Sequence, residues 1–181
     1  MSKSLSILLP TYNCDCTALI SELQRQCVAE EINFEIIVAD DASPDKRFII
    51  KNRTISNLDG VRYIEREQNV GRSAIRNYLV SQSSKEWILF IDGDLSLKNA
   101  KFIHNYLKAE GDVIVGGINI VENEKRWGNN LRYRYEHSSK EAISAENRRK
   151  TPYQHLSTNF IAHRKLIGTN PYNEDIKQYG F

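Results

Sequence analysis

The sequence lacks a long hydrophobic run, a strong net charge and a paired set of cysteines. Its first apolar stretch, Leu5–Pro10, is shorter than a secretory signal or a membrane span requires. A net charge of +2 gives no general attraction to nucleic acid or to an anionic membrane. Cys14, Cys16 and Cys27 match neither a disulfide framework nor a zinc site. We therefore expect a cytoplasmic chain with reduced cysteines and no nucleic-acid partner, for which peripheral membrane association stays open.

Two common phosphate-binding motifs are missing as well. No G-x-G-x-x-G follows the first apolar run and no G-x-x-x-x-G-K-S/T occurs, which argues against dinucleotide and P-loop sites. The chain also holds no internal repeat and no low-complexity segment. At 181 residues, with 40% hydrophobic and 27% charged residues, it can bury one full core. We expect a single domain over residues 1–181.

Short apolar runs recur along the first half of the chain. Runs that are apolar throughout, without alternation, are typical of strands covered on both faces in a parallel sheet. Apolar residues at helical spacing lie between them, which predicts an α/β fold with a mainly parallel central sheet flanked by helices. The predicted strands are Leu5–Leu9, Phe34–Ala39, Val61–Ile64 and Trp87–Ile91. The predicted helices carry Leu19, Leu23 and Cys27, open at Ser43-Pro44 as N-cap and N1, and run from Gly71 to Ser84.

The second half is less regular. We expect a helix over Lys98–Glu110 and strands from Val113 to about Val121 and over Ser157–Ala162. Residues 122–150 mix basic and aromatic side chains with weak periodicity, which indicates either a functional loop or a solvated surface excursion. Within it, Ser138 and Glu141 have the spacing of a capping box.

Three polar clusters follow predicted strands: Pro10 to Asn13, Asp40-Asp41 and Asp92 to Asp94. Ligands of parallel α/β sheets bind at the carboxyl ends of the strands, so these clusters are expected to converge. Asp92 and Asp94 would repel each other unless a cation or a proton compensates them. Two such carboxylates suit Mg²⁺ or Mn²⁺ bound together with water and phosphate oxygens.

Four segments, in order and spacing, resemble the family 2 glycosyltransferases of GT-A fold: SILLPTYN, EIIVADDAS, NVGRSAIRN and ILFIDGDLSL. Two later segments, STNFIAHRKLI and YNEDIKQYGF, are similar to that family's later strand and to the segment leading to its acceptor-side acid. The resemblance implies a nucleotide-diphospho-sugar transferase domain with a nucleotide-binding half, 1–97, and an acceptor-side portion, 98–181. It also implies inverting transfer of a sugar to the hydroxyl of a carbohydrate or lipid-linked acceptor, as in polysaccharide biosynthesis.

Carried onto this sequence, the resemblance implies that Pro10, Tyr12 and Asn13 line the nucleotide pocket, with Tyr12 near the base. Core filling is the alternative role for Tyr12. Asp41 would hydrogen-bond the base, for which uracil, and hence a UDP-sugar, is favoured.

The same resemblance places Asp92 against the ribose or the metal, and gives Asp94 the metal that bridges the donor diphosphate. Arg76 would meet a phosphate, fix the aspartates, or form an ordinary structural ion pair.

Inverting transfer needs a general base on the acceptor side. In the family this acid follows a Tyr-Gly like Tyr179-Gly180, but the sequence ends at Phe181. Either the base lies beyond Phe181, or another acid such as Glu174 or Asp175 serves. We therefore expect donor binding with impaired or absent transfer.

Two other functions are compatible with the motifs. A non-catalytic nucleotide-sugar-binding fragment of a larger synthase would need no base. A haloacid-dehalogenase-like phosphohydrolase would use Asp92 as nucleophile and Asp94 as acid or base with Mg²⁺. The phosphohydrolase alternative leaves the segments PTYN and DDAS without a role.

Overall fold

The computed structural model describes residues 3–118, 128–138, 144–150 and 159–176. Six strands form one sheet, in the order β3-β2-β1-β4-β6-β5. The pairs of β1 with β2, β1 with β4 and β2 with β3 are all parallel, which confirms the predicted α/β class. The strands are β1 Leu5–Thr11, β2 Phe34–Asp40, β3 Val61–Glu65, β4 Trp87–Ile91, β5 Val113–Val115 and β6 Asn159–His163.

Seven α-helices alternate with the strands or follow them in the described residues. They are α1 Thr17–Ala29, α2 Lys46–Arg53, α3 Arg72–Gln82, α4 Phe102–Lys108, α5 Leu131–Ser138, α6 Ala145–Arg148 and α7 Arg164–Ile167. None of these helices is long and apolar enough to cross a bilayer. The chain divides into two compact units, Met1–Ile114 with Ile161–Phe181, and Val115–Phe160. The division into halves at residue 97 stays a prediction.

The core lies where the predicted stripes meet the parallel strands. Leu19, Leu23 and Cys27 of α1 are all buried against apolar side chains of β1, β2 and β4. All three cysteines are free, as expected. Strands β1 and β2 are buried almost throughout, which explains why they are apolar without alternation.

The predicted start of α2 is wrong. Ser43 does not cap the helix, because its hydroxyl donates to Asp40 Oδ2 at 2.6 Å. Asp45 is the N-cap instead, and its carboxylate accepts from Arg47 N at 3.0 Å. The cap therefore lies two residues later than the Ser-Pro pair indicated.

Three other boundaries also differ from the predictions. Strand β5 ends at Val115, although residues 116–118 were expected to continue it, and residues 119–121 lie outside the described part. Helix α4 is shorter at both ends than Lys98–Glu110. Ser138 ends α5, where its hydroxyl donates to Tyr135 O at 2.7 Å, so it does not open a helix. Glu141 lies outside the described residues.

Candidate functional site

The turn Asp92-Gly93-Asp94 follows β4 and lies against the end of β1. Gly93 N donates to Pro10 O at 3.3 Å. A Cβ at Gly93 would lie 3.0 Å from Pro10 O and 3.2 Å from the Cβ of Thr11, which is tighter than most real Cβ contacts. Asp92 is partly buried and Asp94 is exposed. The small residue between the carboxylates thus lets the turn pack directly on β1.

This packing gives the first prediction. Gly93→Ala should lower the free energy of unfolding by about 1–3 kcal/mol, because the added methyl group must push the turn away from β1. Urea unfolding would measure the loss. Ser96→Ala, at an exposed position of the same loop, is the control and should leave stability within about 0.5 kcal/mol of wild type. Equal stability of the two variants would show that the turn does not need glycine.

Arg76 supplies a cation for the first of the two carboxylates. It lies on α3, and its Nη2 donates to Asp92 Oδ1 at 2.5 Å. The Arg76 side chain is 10% exposed and that of Asp92 is 25% exposed, so the pair is largely shielded from water. Burial raises the pKa of the Asp92 carboxyl, Arg76 opposes the rise, and the charge of Asp94 adds to it. Asp94 is exposed, and its carboxylate is oriented by no such ion pair in the described residues.

Asp41 holds the loop that opens α3. Its Oδ1 accepts from Val70 N at 2.9 Å and its Oδ2 from Gly71 N at 3.0 Å, while Asn69 Nδ2 donates to its carbonyl at 3.1 Å. Gly71, the N-cap of α3, has a φ of 86°, a conformation that favours glycine. Asp41 is 5% exposed. Its carboxylate therefore supports the helix that carries Arg76, a role that the sequence did not reveal.

The second prediction separates this support from base binding. Asp41→Asn should lower the free energy of unfolding by about 1–2 kcal/mol in the absence of any nucleotide, because the new amide turns a donor toward a backbone N–H. Thermal and urea unfolding would measure it. A residue that only recognises a base would leave the stability of the ligand-free protein unchanged.

The residues after β1 are positioned by a chain of hydrogen bonds. Asp40 accepts from Ser43, and the Ser43 hydroxyl in turn accepts from Asn13 N at 2.8 Å. Asn13 has a φ of 50°, and its Oδ1 accepts from Asp45 N at 3.2 Å. Tyr12 is 50% exposed, which excludes core filling and leaves its ring open to a ligand.

Next to the Asp41 loop there is an open cleft of about 290 Å³, lined by Glu65, Arg66, Glu67, Gln68 and Val70. The guanidinium carbon of Arg66 lies 4.1 Å from the centroid of the Tyr78 ring on α3. The cleft begins where β3 ends, at the carboxyl edge of the parallel strands, where ligands of such sheets bind.

The two acids considered as bases lie in different surroundings. Glu174 Oε1 accepts from Asn77 Nδ2 at 2.8 Å, which brings Glu174 to the residue next to Arg76. Asp175 is exposed, and its backbone N donates to Asn173 Oδ1 at 2.9 Å. Glu174 thus contacts α3, the helix that carries Arg76, whereas the hydrogen bond of Asp175 is to Asn173.

Residues 6–169 match the sequence profile described as Glycosyl transferase family 2. The chain belongs to this family. This membership favours sugar transfer over the phosphohydrolase alternative. A similar family member is the poly(ribitol-phosphate) beta-glucosyltransferase of Bacillus spizizenii, 34% identical over 126 residues, which cover 64% of this chain and 19% of that one.

Several solved glycosyltransferase-type structures share the fold of this chain. Staphylococcus aureus TarS 1-349 superposes with a TM-score of 0.63 at 23% identity, over 97% of this chain and 52% of that one. Its complex with UDP-GlcNAc gives 0.52 at 26% identity, over 66% and 36%. Glucosyl-3-phosphoglycerate synthase of Mycobacterium tuberculosis, in complex with Mn²⁺, UDP and glucosyl-3-phosphoglycerate, gives 0.55 at 20% identity, over 91% and 58%. The chain spans between 36% and 58% of the length of these solved proteins.

Proposed function

We propose that this chain binds a nucleotide-diphosphate sugar, with UDP as the nucleotide, and transfers the sugar with inversion to an acceptor hydroxyl. One observation carries the proposal: the turn that packs on β1 holds an exposed Asp94 and an Asp92 that is paired with Arg76 of α3 and largely shielded from water. Cationic side chains and metal ions held by carboxylates both neutralise the charge of a nucleotide diphosphate. UDP is preferred because TarS, a family relative with 26% identity, is described in complex with UDP-GlcNAc.

The carboxylates of this turn fit Mn²⁺ or Mg²⁺. Among the described residues, no group of three or more Asp, Glu, His or Cys side chains could enclose a metal by itself. The two carboxylates of Asp92 and Asp94 match the way these ions bind, through one or two carboxylates plus water and substrate phosphates. Asp94 would hold the ion and Asp92 would adjoin it. When bound, the ion would neutralise charge on the diphosphate leaving group.

The remaining roles follow from the described contacts. Tyr12, exposed at the end of β1, would stack on the base, and Pro10 and Asn13 would border the nucleotide. Asp41 would hold in place the loop that contains Val70 and Gly71, and it would lie with that loop beside the base. Arg76 would keep Asp92 ionised beside the diphosphate.

The acceptor would be a carbohydrate or lipid-linked hydroxyl, bound by the acceptor-side portion over residues 98–181. The Bacillus spizizenii relative is named for a poly(ribitol-phosphate) acceptor, which makes a polyol polymer a reasonable first substrate to test. An acid must accept the proton of the attacking hydroxyl. Glu174 and Asp175 stay the candidates among the described residues.

Calorimetry with UDP and GDP, each with Mn²⁺ and with EDTA, tests the proposed function. We expect UDP to bind in Mn²⁺, with an affinity that falls at least about tenfold in EDTA. Release of UDP from UDP-glucose and UDP-GlcNAc, with and without acceptor, then measures transfer. Binding without release would support the nucleotide-sugar-binding alternative, and no binding of either nucleotide would contradict both functions.

A further inference from the structure

Asn77 joins α3 to a segment almost a hundred residues later in the chain. It follows Arg76 and is 3% exposed. Its Nδ2 donates to Tyr172 O and to Glu174 Oε1, both at 2.8 Å, and its Oδ1 accepts from Tyr172 N at 3.0 Å. One buried amide thus fixes both the backbone and a side chain of the segment 172–174.

The segment held by Asn77 places an aromatic ring next to the ion pair. The Tyr172 ring packs edge-on against Phe90 of β4, with centroids 5.5 Å apart. The guanidinium carbon of Arg76 lies 5.6 Å from the centroid of the same ring. Burial raises the pKa of Tyr172 to about 12, so its hydroxyl is neutral at physiological pH. The ring is therefore an uncharged wall against which Arg76 packs.

We infer that Asn77 is a positioning residue for the donor site. By holding the segment 172–174, it keeps the Tyr172 ring against Arg76, and so sets the direction in which the guanidinium meets Asp92 and the donor diphosphate. This inference rests on the proposed function. It also gives Glu174 a structural role: its carboxylate anchors the segment.

The contacts argue for positioning over simple packing. An apolar residue at position 77 could fill the space, but it could not satisfy the backbone N–H and C=O of Tyr172 at once. The amide does both and adds a charge-assisted hydrogen bond to Glu174. Such a bridge, one residue from Arg76, fixes the ring more closely than non-directional apolar contacts would.

Variants with reversed hydrogen-bond polarity test the inference in the whole chain. N77D keeps the shape of the side chain but sets a second oxygen against Tyr172 O and the Glu174 carboxylate. We expect the affinity for UDP in saturating Mn²⁺ to fall about tenfold, the size of one lost charge-assisted hydrogen bond. E174Q still offers an oxygen to Asn77 and should change affinity less than about twofold. In N77D/E174Q the new amide group at position 174 can donate to the new carboxylate at position 77. The affinity for UDP should then recover about threefold of the tenfold loss.

Two further comparisons separate positioning from lost stability. Leu23→Ala truncates a buried side chain of α1 and should lower Tm at least as much as N77D while it leaves UDP affinity unchanged. If Asn77 acts through Arg76, then N77D in an Arg76→Lys background should cost less than about threefold in affinity. These results, together with recovery in the double variant, would support the inference.

Failure of the Asn77 inference can be told apart from failure of the proposed function. Wild type that binds UDP while N77D binds it equally well would overturn the inference and leave the proposed function intact. A tenfold loss that is the same in the Arg76→Lys background, or that E174Q alone reproduces, would also overturn it. Wild type that binds no UDP would refute the proposed function, and the inference would fall with it.

Discussion

Asp94→Ala is expected to lower the affinity for UDP in Mn²⁺ as much as EDTA lowers that of wild type, at least about tenfold, because replacing even a residue that only supports a metal ligand costs 10–100-fold. Asp94 is exposed, so the substitution removes no buried contact and should leave Tm within about 2 °C of wild type. Calorimetry in Mn²⁺ and in EDTA measures the effect. In EDTA, variant and wild type should bind UDP equally weakly.

Asp59→Ala is the matched control for this prediction. Asp59 is also exposed, but it precedes β3 and therefore lies at the amino end of the parallel strands, away from the proposed site. Its replacement should leave metal-dependent binding unchanged. If the Asp94 variant kept the full difference between Mn²⁺ and EDTA, another residue would hold the metal.

Arg76→Ala is expected to have the largest effect on stability. It removes the cation from a carboxylate that is only 25% exposed, and breaking a buried pair in this way costs about 3–5 kcal/mol. Urea unfolding at neutral pH measures the loss. Arg53→Ala is the control, because Arg53 pairs with Glu65 at 2.6 Å but both side chains are more than a third exposed. That exposed pair should contribute less than about 1 kcal/mol.

The loss in Arg76→Ala should also depend on pH. Burial raises the pKa of Asp92 above its unfolded value, so the folded state holds its proton to higher pH than the unfolded state. Stability from this group is therefore highest below the unfolded pKa and falls as pH rises through the folded pKa. Without Arg76 the folded pKa rises further. The cost of the substitution should thus be larger at pH 7 than at pH 4.5, and an equal cost at both would contradict the buried-pair account.

Strands β1, β2 and β4 could be read from the sequence because both of their faces are covered. The predicted strand Trp87–Ile91 begins and ends at the same residues as β4, because no polar residue interrupts the run until Asp92. The convergence of the polar clusters followed from parallel strands alone, and the contact of Gly93 with Pro10 O bears it out for the first and fourth strands.

What the sequence did not show was decided by the hydrogen-bond partners that each side chain meets in the fold. Ser43 looks like a helix cap, but the Asp40 carboxylate takes its hydroxyl. The base-binding role of Asp41 stays a prediction, and the structure adds that two backbone N–H groups 29 and 30 residues later donate to its carboxylate. No local pattern could show that Asn77 meets Tyr172, because the two are 95 residues apart. Motif spacing identifies candidate residues, whereas their hydrogen-bond partners depend on the tertiary fold.

The most direct test of the account is a crystal of this protein soaked with UDP and Mn²⁺ and measured at the manganese absorption edge. We expect an anomalous peak between the Asp94 carboxylate and the diphosphate, with the base near Tyr12 and Arg76 still paired with Asp92. Nucleotide and manganese bound elsewhere, with the turn after β4 making no contact to either, would contradict the proposed site and the function drawn from it.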